Sequence, residues 1–139
     1  MFSKTLKCSL FVMVSFCFNH ANAAVSNGTY LISSQVSGKP VEVSGVSTAN
    51  AADVLQWSDN GGVHQHWIIT NRGNSFYSIT NRNSGKAMEV YNWSSADGGD
   101  VVQYDYWGGD SQLWKITEHE NGVVSFINKF SGKALDLYN

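Results

Sequence analysis

The chain repeats itself, and the repeat limits what it can fold into. Ser37-Gly38-Lys39-Pro40-Val41-Glu42-Val43 returns as Ser84-Gly85-Lys86-Ala87-Met88-Glu89-Val90 and again as Ser131-Gly132-Lys133-Ala134-Leu135-Asp136-Leu137. Both intervals are 47 residues (84 − 37 and 131 − 84). A fixed period of this size marks a chain built from supersecondary units, each too small to bury its apolar face alone. Within each copy a Ser-Gly turn leads into apolar, acidic and apolar residues. That alternation predicts a short strand with one carboxylate pointing away from the core.

No segment sustains a helical period. Short alternating or β-branched runs are parted by clusters of Gly, Asn, Asp and Ser, which predicts an all-β domain. Indexed on the repeat, the strands fall into sets: Thr29–Ser33 with Phe76–Thr80 and Val123–Ile127, and Val41–Ser44 with Met88–Tyr91 and Leu135–Tyr138. Val54–Trp57 matches Val101–Tyr104, and Trp67–Thr70 matches Trp114–Thr117. Two units thus have four strands each, and the third stops at Asn139 after two. A third unit cut short is expected to leave strand edges unpaired and one side of the core, Trp67 and Trp114 included, open to water. Such edges invite self-association.

The N-terminus reads differently. Lys4 and Lys7, the apolar run 8–18 and Ala21-Asn22-Ala23 have the form of a secretory signal peptide over residues 1–23, leaving 24–139 as the domain. The apolar run is about half of what spans a bilayer. Cys8 and Cys17 leave with this segment, so the remaining 139 − 23 = 116 residues hold no disulfide and depend on an apolar core. Lys4 and Lys7 leave too, so seven basic residues face eleven acidic ones, a net charge of −4. That balance argues against nucleic acid or an anionic membrane as partner. The expectation is a secreted protein, extracellular or periplasmic.

Three features of the unit bear on chemistry. Gln65-His66-Trp67 and Gln112-Leu113-Trp114 share a Gln-x-Trp pattern one period apart. A Trp recurring at one phase beside apolar neighbours reads as core, with its Gln tying a loop to the backbone. Trp57 and Tyr104 instead end strands and open into polar, Gly-rich loops, where a large ring can stack on the C–H face of a sugar. Glu42, Glu89 and Asp136 share one phase, and a carboxylate there can accept hydrogen bonds from a vicinal diol or simply sit in solvent. Glycosidic cleavage needs two carboxylates about 5–10 Å apart. Carboxylates on separate units should not meet that requirement, so no catalysis is expected. His64 and His66 lie two apart and His119 is remote, giving no metal-ligand set and no cofactor expectation.

Taken together, Ser-Gly-Lys-x-x-(Glu/Asp)-Val, the aromatic in Val-x-Gln-(Trp/Tyr), and Gly-Gly-x-x-Gln-x-Trp resemble the ricin B-type lectins. The resemblance runs from Asn27 to Asn139. It implies a β-trefoil of three 47-residue repeats, the third truncated, and a carbohydrate-binding module of the kind also appended to bacterial glycoside hydrolases. It implies a sugar site per unit, built from an acidic residue, an aromatic platform and an Asn-Gln pair. Carried over, the first unit supplies Glu42, Trp57, His64 and Gln65, and the second Glu89, Tyr104, Ser111 and Gln112. The third supplies only Asp136. This chain departs in having Glu for the usual Asp in both complete units, and His64 and Ser111 for the usual Asn. The alternatives are a trefoil serving as a protein-interaction or inhibitor module, and the appended module of a glycoside hydrolase.

Overall fold

The computed structural model describes residues 8–11 and 24–137. Ten strands run in chain order: β1 (Cys8–Phe11), β2 (Gly28–Ser34), β3 (Val41–Val43), β4 (Ala52–Gln56), β5 (His66–Gly73), β6 (Phe76–Asn81), β7 (Ala87–Val90), β8 (Val101–Tyr104), β9 (Trp114–Glu118) and β10 (Val123–Asn128). The connections include single 3-10 turns of three residues, and no α-helix occurs among the described residues.

Six of the strands close a barrel. All pairings are antiparallel, and they run β2–β5, β5–β6, β6–β9, β9–β10, β10–β1 and β1–β2. The hairpins β3–β4 and β7–β8 cap one end and touch each other through Ala52↔Gln103 and Asp53↔Val102. The third unit contributes β10 and a bridge from Ile127 to Ala134.

The period of the sequence is the symmetry of the core. Ile32, Ile79 and Phe126 stand 47 residues apart and are fully buried. Val41, Met88 and Leu135 repeat the pattern. Each such side chain contributes about 1.5–3 kcal/mol by leaving water. Trp67 and Trp114 are also buried, and each indole N–H donates to a carbonyl on its unit's first cap strand, Trp67 Nε1 to Val41 O at 2.8 Å and Trp114 Nε1 to Met88 O at 3.0 Å. The core tryptophans thus hold the strands that bear Glu42 and Glu89.

Two expectations are corrected here. Trp67 and Trp114 are not open to water. The gap expected from the short third unit, between β10 and β2, is taken by β1: Cys8 pairs with Val124 and with Ser34, and Phe11 with Leu31. Within the segment read as a signal peptide only Cys8–Phe11 is described, and the rest lies outside the described residues, as do Tyr138 and Asn139.

Candidate functional site

Strand register brings the carboxylate and the aromatic ring together in both complete units. In the first, Glu42 pairs with Leu55 and Val41 with Gln56, while Trp57 N–H donates to Pro40 O at 3.0 Å. Glu42 and Trp57 therefore lie diagonally on one face of the hairpin, and such diagonal neighbours are about 7–8 Å apart. In the second, Glu89 pairs with Val102 and Ala87 with Tyr104, so Glu89 and Tyr104 have the same diagonal relation. Trp57 is 60% exposed and Tyr104 36%, so both rings have free surface.

The carboxylates do not point into solvent, contrary to the expectation from alternation; Glu42, Glu89 and Asp136 are all buried. A buried carboxylate is costly unless hydrogen-bonded, and the glutamines of the two Gln-x-Trp motifs supply the donors. Gln65 Nε2 donates to Glu42 Oε2 at 2.7 Å and to Ser58 O at 2.9 Å, while Gln65 Oε1 accepts from Asn60 N–H at 3.1 Å. Gln112 repeats this: Nε2 donates to Glu89 Oε2 at 2.8 Å and to Asp105 O at 2.9 Å, and Oε1 accepts from Trp107 N–H at 2.9 Å. Each glutamine thus ties a loop, as expected, and fixes one oxygen of its unit's carboxylate.

The residue before each glutamine separates the units. His64 Nε2 lies 3.2 Å from Glu42 Oε2, so the first site pairs its carboxylate with an imidazole. Ser111, its counterpart, is buried and shows a backbone contact, its carbonyl accepting from Asn128 Nδ2 at 2.8 Å. Gly62 gives His64 room: a Cβ there would fall 2.3 Å from His64 Cε1. In the third unit Asp136 is buried at the position that corresponds to Glu42 and Glu89. Among the described residues no group of three or more His, Cys, Asp or Glu could hold a metal.

Asn81 and Asn128, which end β6 and β10, support the sites and carry no site signal of their own in the sequence. Both are buried, and Asn81 Nδ2 donates to His64 O at 2.8 Å just as Asn128 does to Ser111 O. Their side-chain oxygens accept from the following turns, at Asn83 N–H and Phe130 N–H. The 47-residue spacing was the available signal, masked because the first-unit counterpart is Ser34.

A β-trefoil is the class that this closed barrel and its cap hairpins define. The sequence model of the family described as "Ricin-type beta-trefoil lectin domain-like" matches residues 15–104 and 98–139. The chain belongs to that ricin-type β-trefoil lectin-like family. Among solved structures, it is similar to the designed 3-fold symmetric protein ThreeFoil, with a TM-score of 0.72 and 42% identity over 74% of each chain. It is also similar to an exo-beta-1,3-galactanase from Clostridium thermocellum, with a TM-score of 0.67 and 30% identity, over 73% of this chain and 25% of that one. The Polyporus squamosus lectin shares the fold, with a TM-score of 0.70 and 24% identity, over 84% of this chain and 46% of that one. The comparison with curated proteins returned no match.

Proposed function

We propose that the chain is a secreted, non-catalytic carbohydrate-binding module with one shallow sugar site in each of its two complete units. The observation that carries this reading is the twofold recurrence of an exposed ring diagonal to a buried carboxylate whose Oε2 is held by a glutamine. In this reading Glu42 and Glu89 accept hydroxyl hydrogen bonds from a vicinal diol, and Trp57 and Tyr104 stack on the sugar's C–H face. His64 and Gln65 hold Glu42 and Gln112 holds Glu89, while Ser111, at the position of His64, completes the second unit's set. Asp136 repeats the acidic position in the third unit. Weak single sites gain strength when two engage one polymer, which suits a module that recognises a glycan or polysaccharide.

One finding favours a more specific context. The galactanase relative carries the matched fold over a quarter of its length, so appendage to a glycoside hydrolase is the second reading. Its name makes galactosides the first ligands to try. The test is a glycan array followed by calorimetric titration with galactose, β-1,3-galacto-oligosaccharides and xylose. Saturable binding to at least one saccharide is expected; a chain that retains none is a protein-interaction trefoil instead.

A further inference from the structure

Three aromatic rings stand together beside the second unit's carboxylate. Trp93 lies in the turn after β7, Trp107 in the loop after β8, and Phe130 in the turn after β10. The Trp93 and Trp107 ring centroids are 5.3 Å apart, and Trp93 meets Phe130 edge to face at 4.9 Å. Despite these contacts the rings remain 49%, 53% and 40% exposed. The one carboxamide of Gln112 binds both Glu89 Oε2 and Trp107 N–H, so the cluster is continuous with the second site.

The first unit is an internal comparison. One period earlier, these positions are Val46, Asn60 and Asn83. There Asn83 Nδ2 donates to Val46 O at 3.3 Å, a polar contact where the second unit has two rings. The backbone is the same in both: φ is 56° at Val46 and 53° at Trp93. A bulky residue in the left-handed region is uncommon, and both units carry one here, so the units differ in the side chain and not in the backbone. Trp107 also has its place made for it. A Cβ on Gly109 would fall 1.8 Å from Trp107 Cη2, so the glycine lets the indole lie against the backbone, although its own φ of −73° suits any residue.

We infer that Trp93, Trp107 and Phe130 form an aromatic subsite that extends the second sugar site along an oligosaccharide, and that the first unit has none. The inference rests on the carbohydrate-binding reading above. Exposed ring faces suit the C–H face of a sugar, and Phe130 N–H donates to the carbonyl of Asp110, whose carboxylate pairs with Lys129 at 2.9 Å. A further sugar unit linked to one held at Glu89 presents such a C–H face.

The experiment titrates the full chain with galactose and with galacto-oligosaccharides of two to five units, using as ligand series whichever sugar the array selects if galactose is not bound. The variants take each ring to its first-unit counterpart, Trp93→Val, Trp107→Asn and Phe130→Asn, singly and together; thermal melts check the fold. Gly109→Ala displaces Trp107 without removing it, and Trp93→Gly removes the ring while relieving the backbone. In the wild type, affinity should rise with chain length. In the triple variant it should fall at least about ten-fold for the longest ligand, the factor worth about 1.4 kcal/mol, with monosaccharide affinity unchanged. Trp93→Gly should lose the same gain without loss of stability. The subsite is overturned if the triple variant keeps its chain-length gain while Glu89→Gln loses all binding at the second unit, an outcome that leaves the sugar site standing. Equal loss of monosaccharide and oligosaccharide would make the rings part of the primary site and overturn it too. A wild type that binds neither ligand overturns both readings, and self-association abolished by the triple variant would assign the rings to a second copy of the chain.

Discussion

Glu42 and Glu89 show what one residue's neighbours decide. Their position in the chain was legible from the period, but their burial was not, because the compensating amide sits 23 residues away at Gln65 or Gln112. Removing it should be costly: Gln112→Leu strands a buried carboxylate oxygen and frees the Trp107 loop. A loss of roughly 1–3 kcal/mol or more in urea denaturation is expected. The core place of Trp67 and Trp114 was legible from their recurrence at one phase beside apolar neighbours, although they were expected to be open to water on one side, and Trp93 and Trp107 carried no such signal. Trp67→Ala should cost about 3–5 kcal/mol, while Trp57→Ala should leave the melt unchanged. Asp105, next to the Tyr104 platform, sets a pH dependence. Its hydrogen bond to Lys86, at 2.5 Å, and then that to Asn50 hold its carboxyl below the ordinary value. A depressed carboxyl contributes stability above its unfolded value and loses it as pH falls through the folded one. The gap in stability between wild type and Asp105→Asn should therefore be full at neutral pH and close only below about pH 4.

At the scale of elements, the cap hairpins β3–β4 and β7–β8 carry the proposed sugar sites, and their register sets each carboxylate diagonal to its ring. Strand locations followed from alternation and turn residues, and Phe76–Thr80 became Phe76–Asn81, while Val101–Tyr104 was unchanged. What alternation missed was that β3 and β7 are buried along their whole length, because the loops carrying Gln65 and Gln112 cover the face that a two-residue period assigns to water. The turns that follow were also opaque. Gly45-Val46 and Asn92-Trp93 have two successive positive φ angles, a type I′ pattern that favours Gly or Asn at its second central residue. Sequence statistics do not place Val or Trp there. Val46→Asn should accordingly raise stability by roughly 0.5–1 kcal/mol in chemical denaturation. A fall instead would mean that the Val46 side chain contributes more through packing than its backbone costs.

For the whole molecule, the threefold core was legible because Ile32, Ile79 and Phe126 keep one phase, whereas barrel closure was not. Pairing of Cys8–Phe11 with β2 and β10 joins residues that are distant along the chain, and nothing in a local apolar run announces a partner. If secretion removes residues 1–23, that place opens, and bare edges recruit other chains. Sedimentation should then show residues 24–139 associating where the full chain stays monomeric; two monomeric species would show that β1 is dispensable. The account as a whole stands on two sugar sites, each with one ring. Calorimetric titration of wild type, Trp57→Ala, Tyr104→Ala and the double variant with the preferred monosaccharide measures this directly. The expected stoichiometries are two, one, one and none, with all four melting alike. Undiminished binding by a folded double variant would contradict it.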